Sequence, residues 1–322
     1  MKVVLTGGAG FIGTNLSYYW TRTRPEDELL VLDKLTYSGH RVSLEPLEKE
    51  RKITFLQGDI TDPSVVNGAL TGADLVLHLA AESHVDRSIT DPAPFITTNV
   101  MGTQVLLEAC RQLDVRRFLL CSTDEVFGSL PLDHPEIKFT LDSPYNPRSP
   151  YAASKAAADH LARAYFHTYG LPVMISNCGN NYGPYQHPEK LIPLAITRLL
   201  RGLKVPLYGD GRNVRDWIYV EDHASAIATI ALRGAAGRTY LVGAENELSN
   251  YDLLRRILRL MGMSTDALEY VPDRPGHDRR YAIDPSYLRE TLGWKPATSL
   301  EEGLTKTVQW YRNQMSWWIP LI

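Results

Sequence analysis

The run Thr6-Gly7-Gly8-Ala9-Gly10-Phe11-Ile12-Gly13 follows the apolar stretch Val3-Val4-Leu5 and opens a helical pattern over Ile12–Arg22. Two glycine spacings overlap in it: GxGxxG at Gly8, Gly10 and Gly13, and GxxGxxG at Gly7, Gly10 and Gly13. A strand that turns on glycines into a helix brings backbone N–H groups and the positive helix end to one place, where a pyrophosphate can rest. A glycine turn that binds nothing would carry the same letters, so context decides. Asp33 ends the next apolar run, Leu29-Leu30-Val31-Leu32, about 20 residues after Gly13. A carboxylate there accepts hydrogen bonds from adenosine ribose hydroxyls and repels a 2′-phosphate. The predicted cofactor is therefore NAD rather than NADP, although Lys34 next door weakens the preference slightly. Asp59-Ile60, ending the third apolar run, can hold the adenine edge.

Moving outward, short apolar runs alternate with longer helical patterns. Thr54–Leu56, Leu75–Leu77, Arg117–Leu120 and Val173–Ser176 read as further strands, continuously apolar because both faces are covered. Val100–Leu113 and the alanine-rich Pro150–Tyr169 read as helices, the second ended at Gly170-Leu171-Pro172. The predicted fold class is α/β: a Rossmann-type doubly wound parallel sheet with a smaller, interleaved C-terminal domain. The texture changes after about residue 177, with Gly-, Pro-, Asn- and Tyr-rich loops at 179–190, 205–216 and 272–280. Helical patterns lie at Asn250–Met261 and 301–312. Residues 1–177 and 217–242 are assigned to a dinucleotide domain, and residues 178–216 and 243–322 to a substrate domain.

The 322 residues are 44% hydrophobic and 22% charged with a net charge of −3, the balance of a globular chain with no bias toward nucleic acid or an anionic membrane. Cys110, Cys121 and Cys178 are odd in number and scattered, which predicts neither a disulfide framework nor a metal site. No apolar run has the length of a membrane span, and the first residues already read as strand. A reduced, cytoplasmic setting is expected.

Tyr151 and Lys155 lie four apart on one face of a helix. An ammonium near a phenol is expected to lower its pKa from about 10, giving a base for a hydroxyl proton as hydride departs. Alone, this spacing is more often a surface pair. Beside a dinucleotide fingerprint it points to redox chemistry. Ser122-Thr123-Asp124-Glu125 follows the strand ending at Leu120-Cys121, at the carboxyl edge where an open α/β sheet binds its ligand. Adjacent carboxyls at such a crevice invite a division of labour, one protonated and one ionised. Elsewhere an Asp-Glu pair would simply cap a helix or face water.

The longer strings make the chain resemble the dTDP-glucose 4,6-dehydratases of the extended short-chain dehydrogenase/reductase superfamily. They are TGGAGFIG (6–13), HLAAESHVDRSI (78–89), STDEVFG (122–128), YAASK (151–155), NNYGPYQHPEKLIP (180–193), YGDGRNVRDWIYVEDH (208–223) and RPGHDRRYAID (274–284). The resemblance implies dehydration of dTDP-glucose in three stages. Tyr151, Lys155 and Thr123 support oxidation at C4, Glu125 removes the C5 proton while Asp124 protonates the departing C6 hydroxyl, and hydride returns to C6. It implies cofactor contacts at Gly7, Gly10, Phe11, Ile12, Gly13, Asp33, Lys34, Leu35, Thr36, Asp59, Ile60, Leu79, Ala80, Ala81, Ser83, Thr98, Tyr151, Lys155 and Asn181. Ser83, Thr123, Asn180, Lys190, Leu191 and Arg215 are implied contacts for sugar or pyrophosphate. Pro206, Leu207, Tyr208, Asn250, Arg274, His277 and Tyr281 are implied for the nucleotide wall. His84 and Asp86 read as structural as readily as functional. Phe127 departs from the Tyr usual after TDEV. The resemblance also implies a homodimer through the small apolar face of Ala152 and Ala156.

Three other readings remain open. A UDP-sugar 4-epimerase shares the glycines and the Tyr/Lys pair but needs neither an acid at 124 nor a base at 125. UDP-glucuronate decarboxylases and GDP-mannose dehydratases usually carry Ser where Asp124 stands. An NAD-sensing binding protein would have no use for the intact Thr123, Asp124, Glu125, Tyr151 and Lys155.

Overall fold

The apolar runs become strands because parallel pairing with helices on both faces removes them from water. In the computed structural model, which describes residues 1–273 and 276–322, these are β1 Lys2–Thr6, β2 Glu28–Asp33, β3 Ile53–Gln57, β4 Leu75–His78, β5 Arg117–Thr123 and β6 Val173–Cys178. The later strands are β7 Asn180–Tyr182, β8 Val205–Tyr208, β9 Val214–Tyr219, β10 Thr239–Val242, β11 Glu247–Ser249 and β12 Leu268–Val271. One seven-stranded sheet runs β3-β2-β1-β4-β5-β6-β10, with every pair parallel. Its order reverses at β1, so the crossovers from β1 and β4 leave on opposite sides and open a crevice at the carboxyl ends.

Helices Phe11–Thr23 and Val220–Arg233 cover one face, where Leu16, Trp20, Ile227 and Ile230 pack on Val3, Leu5 and Val31. Pro63–Leu70, Thr103–Gln112 and Pro150–Tyr169 cover the other, through Val66, Leu106, Ala158 and Ala162. A third core lies beyond β6. It joins Tyr182, Ile196, Trp217, Leu254, Leu304 and Tyr311, and carries the small sheets β11-β9-β7 and β12-β8. The segment 217–242 divides between these bodies: β9 sits in the small sheet, while β10 closes the large one.

The helix Pro150–Tyr169 is specified at both ends. Ser149 accepts from Ala152 N at 3.1 Å, Pro150 fits the first turn, and Gly170 takes the left-handed conformation at φ 69°. Ala152 and Ala156 are buried within this chain, Ala156 against Val126, Phe127 and Leu241, so they do not form an outward face for a partner. Phe127 stacks on Phe139 at 5.2 Å and meets Tyr145 edge-on at 5.1 Å, an apolar setting in which a hydroxyl has no use.

The helix expected over Val100–Leu113 begins differently. Residues Ile96–Gly102 form a π-helical stretch before the regular Thr103–Gln112. Asn99 explains the widening: its amide accepts from Glu82 N and donates to Glu82 O and Ser154 Oγ at 2.8–3.0 Å. A wider turn lets this buried amide reach across while Thr98 lines the crevice.

Candidate active site

A cleft of about 320 Å³ runs along the carboxyl edge of the large sheet, the size of a small-molecule site. Gly7 begins its floor at φ 72°, packed so closely that a Cβ would stand 2.5 Å from Ala80 N. A Cβ on Gly13 would stand 2.2 Å from Gly7 O, so this glycine fixes how the helix Phe11–Thr23 approaches the turn. Gly10, its N-cap, has no side-chain cap, and a Cβ there would meet only Gly7 O at 3.4 Å. The first N–H groups of the helix are thus left for an anion in the cleft.

Asp33 stands at the end of β2 in the same cleft. Its oxygens accept from Ala9 N at 2.9 Å and Leu35 N at 2.8 Å, which hold it in place, although burial raises its pKa. Leu35 contributes that N–H from a φ of 59° and does not itself line the cleft. Lys34 bridges to Asp59 at 2.6 Å, joining the ends of β2 and β3 around the expected adenine side. Thr36, Ile60, Leu79, Ala80, Ala81, Ser83, Thr98 and Asn181 line the same cleft, together with Phe11 and Ile12. Asn181 Oδ1 meets His223 Nδ1 at 2.9 Å, and its Nδ2 donates to Gly179 O at 3.1 Å. The residues fit a dinucleotide: an uncapped helix start, a ribose-side carboxylate and polar atoms at the far end.

At that far end Thr123 caps the short turn Asp124–Phe127, its Oγ1 accepting from Glu125 N at 3.2 Å. The cap projects Asp124 and Glu125 into the cleft beside Tyr151 and Lys155. Asp124 is 2% exposed. Burial first, then the neighbouring Glu125 and Asp216, push its carboxyl well above the usual range, while Arg215 opposes them. That direction favours the protonated form of Asp124.

Tyr151 does not follow the sequence expectation of a lowered pKa. Burial, Glu125, Cys178 and Asp124 hold its phenol well above the ordinary tyrosine value, and only a hydrogen bond with Thr123 opposes them. Lys155 is buried too, which lowers its own pKa, and its Nζ donates to Cys121 O at 2.7 Å. Spacing on a helix placed both groups in one cleft but could not give the direction of the ammonium.

Of the substrate residues implied by the sequence, Ser83, Thr123, Asn180 and Lys190 line the cleft, and the buried Oδ1 of Asn180 has no hydrogen-bond partner among the described residues. The other described ones do not line it. Leu207 belongs to the third core, Leu191 packs on its margin, Pro206 is half-buried and Tyr208 is exposed. Asn250 starts its helix, donating from its N–H to Asn213 O at 2.9 Å. Arg215 donates to Val214 O and Asp278 O, both at 2.8 Å, and lies 4.2 Å over the Tyr281 ring. Tyr281 donates to Asp278 Oδ2 at 2.5 Å, and His277 pairs with Asp273 at 2.7 Å. Arg274 lies outside the described residues. The sequence reading missed Tyr37, Glu82, Gln186, His187, Glu189 and His223 in the cleft wall. Each had a signal: Tyr37 follows Asp33 closely, and the others stand in the quoted strings, Glu82 in 78–89, Gln186, His187 and Glu189 in 180–193, and His223 at the end of 208–223.

This fold and cleft define a dinucleotide-dependent short-chain dehydrogenase/reductase with two adjacent carboxyls, Asp124 and Glu125, beside Tyr151 and Lys155. The family model described as GDP-mannose 4,6 dehydratase matches residues 4–307. The chain is 52% identical to the dTDP-glucose 4,6-dehydratase of Mycolicibacterium smegmatis, across 100% of this chain and 96% of that one. Among solved structures, a dTDP-glucose 4,6-dehydratase of Streptomyces venezuelae with NAD and TYD bound superposes at a TM-score of 0.97, with 46% identity and 100% of both chains covered. A Thermus thermophilus UDP-glucose 4-epimerase in complex with NAD superposes at 0.89, with 32% identity, covering 98% of this chain and 100% of that one. The chain belongs to the dTDP-glucose 4,6-dehydratase family.

Proposed function

We propose that the chain converts dTDP-glucose to dTDP-4-keto-6-deoxyglucose with NAD that is recycled in each turnover. One observation carries this reading: Asp124, buried and with its carboxyl pushed well above the usual range, stands next to Glu125 in the cleft that holds Tyr151 and Lys155. Transient oxidation alone, as in a 4-epimerase, needs no such pair, whereas elimination of water needs both an acid and a base. Similar dehydratases crystallised with NAD support the cofactor, and TYD in the Streptomyces venezuelae structure supports a thymidine nucleotide.

NAD, held along Gly7, Gly10, Gly13 and Asp33, would supply a cationic ring and a reversible hydride acceptor for the C4 and C6 positions. Burial holds the Tyr151 phenol protonated in the free protein, so the base is its phenolate, which a cationic ring bound beside it would favour. That phenolate takes the C4 hydroxyl proton as hydride leaves, and Thr123, bonded to Tyr151, steadies the same oxygen. The resulting ketone acidifies C5–H. Glu125 removes that proton, and Asp124 delivers its own to the C6 oxygen, which departs as water. Glu125 returns a proton to C5 as hydride reaches C6, so one water is lost and the cofactor ends as it began. Gly7, Gly10 and Gly13 hold the pyrophosphate, Asp33 the adenosine ribose, and Ser83, Asn180 and Lys190 the sugar nucleotide. Residues 1–177 and 217–242 thereby serve the cofactor, and 178–216 and 243–322 the substrate. A second copy is expected against the outer side of the helices that expose Ile96, Met101 and Tyr169. The three buried, free thiols suit a reducing cytoplasm.

The test is to supply dTDP-glucose and UDP-glucose separately and follow the alkali-sensitive 4-keto product. Asp124→Asn keeps the shape of the side chain but cannot readily deliver a proton. In single turnover it should still reduce NAD while elimination slows more than oxidation. Asp124 acts only while protonated, so wild-type elimination should fall as pH rises through its elevated pKa, and the variant should lose that limb. Equal loss of both steps in Asp124→Asn would return the lead to an epimerase.

A further inference from the structure

Behind the reacting residues lies a second buried carboxyl that the chemistry above does not use. Asp159 sits one helical turn after Lys155 and is fully buried. Its Oδ2 accepts from Tyr145 OH at 2.7 Å, Ser122 Oγ at 3.0 Å and Asn177 Nδ2 at 3.1 Å. Its Oδ1 is buried with no hydrogen-bond partner among the described residues. Asn177 Nδ2 also donates to Thr123 O at 3.1 Å, and Arg163 donates to Tyr145 OH at 2.8 Å. One carboxyl thus ties the helix of Tyr151 and Lys155 to the ends of β5 and β6, against the strand residue that carries Thr123.

We propose that Asp159 is a positioning residue for the redox step, an anion that keeps Lys155 charged without capturing it while bracing the backbone under Thr123. This rests on the reading of Tyr151 and Lys155 as the redox pair. No ion pair within 4 Å joins Lys155 to Asp159 among the described residues, and Lys155 Nζ is engaged by Cys121 O instead. The attraction therefore acts across a dry helical turn, where charges couple more strongly than in water. Around Lys155 the other titratable groups are Cys121 on β5, Cys178 beyond it on β6, His78 on β4 and Tyr151 on its own helix. Burial keeps both thiols protonated and His78 neutral, with Cys121 pushed up to about 11 and His78 down to about 3. Asp124 and Glu125 act on Tyr151 and are absent from the groups acting on Lys155. Burial raises the pKa of Asp159, against which the Lys155 charge and three neutral donors favour its ionised form; so held, it is the anion that offsets the cost of burying the ammonium.

The signs follow from these contacts. Without the anion Lys155 loses its proton at lower pH, so the alkaline limb of kcat/KM in Asp159→Asn should move down by about two pH units, as expected of two charges roughly 6 Å apart at an effective dielectric near 20. Turnover at neutral pH should fall about tenfold or more. Tyr145→Phe removes one donor, so Asp159 takes up its proton more readily and the acid limb should move up while the alkaline limb stays. This second variant alters a half-buried side chain and decides the matter even where Asp159→Asn does not fold. NAD affinity, measured by quenching of protein fluorescence, should stay within about threefold in both, because neither residue lines the cleft. Unmoved limbs in both variants, with lowered thermal midpoints, would leave Asp159 a packing residue and overturn the proposal. Lys155→Met tests the ground beneath it: retained turnover there would overturn the redox reading, and the proposal with it. An inactive Lys155→Met with unmoved limbs in the Asp159 and Tyr145 variants would overturn the proposal alone.

Discussion

The two sides of the cleft are built by different means. On the side of β1 and β2 the surface is backbone: Gly7, Gly10 and Gly13 shape the turn, and Asp33 is held by two N–H groups. On the side of the third core, several of the described residues implied for the substrate are packed or bound among themselves. Leu207 is in a core, Arg215 is spent on two carbonyls, and Tyr281 bonds Asp278. A site made of backbone is complete before its ligand arrives, because little remains to be ordered. A site made of long side chains on loops reaches its binding geometry only as those side chains are drawn in.

The sharpest break should come where the two sides meet. Tyr151→Phe removes the phenol beside Thr123 and should lower kcat by roughly 10²–10⁴-fold, the worth of a general base. NAD affinity should persist, since the backbone side is untouched. Steady-state turnover with parallel NAD titration checks both. Near-normal turnover would move the base elsewhere.

Next in size is damage to the backbone side. A methyl on Gly13 would lie 2.2 Å from Gly7 O, so Gly13→Ala must push the helix off the turn. Overpacking of this kind costs about 1–3 kcal/mol, and NAD affinity should fall tenfold or more, with a lower melting temperature. Full NAD affinity in Gly13→Ala would mean that this side adapts as freely as the other. A smaller effect is expected at Asp33. Asp33→Ser removes the ribose-side charge, so NAD should bind several-fold more weakly and NADP more strongly than in the wild type. Equal wild-type affinity for the two would sink the claim that Asp33 selects.

What could be read beforehand divides along the same line. Six of the seven strands of the large sheet, the glycine turn and the extent of the helix Pro150–Tyr169 were legible because local rules decide them: apolar runs, glycine spacing, Pro150 and Gly170. Tyr151 and Lys155 were legible as a pair through helical spacing, but the high phenol pKa was not, because it depends on burial by residues from β5 and β6. The π-helical stretch at Ile96–Gly102 was hidden for a similar reason, since Asn99 takes partners from Glu82 and Ser154 far along the chain. Glu189 reaches Tyr37 at 3.1 Å and His84 at 3.4 Å, contacts between three separate loops that no local pattern announces.

The smallest expected effect concerns Arg215, and it tests the comparison most closely. The resemblance implies a guanidinium gripping diphosphate, yet Arg215 is 5% exposed and donates to Val214 O and Asp278 O while covering Tyr281. Its charge also reaches Asp124, whose raised pKa it moderates. Arg215→Lys keeps that charge but has no planar fork, so it cannot serve both carbonyls in the same geometry. If this side is completed as substrate arrives, the variant should raise the dTDP-glucose KM a few-fold, with NAD affinity unchanged and kcat nearly so. The pH at which elimination fails should also stay in place, because the charge beside Asp124 is retained. A different outcome separates the alternatives. An unchanged KM with a lowered melting temperature would make Arg215 a brace between β9 and the Asp278–Tyr281 segment, and the diphosphate would then lie nearer Lys190 and Asn180, which line the cleft already.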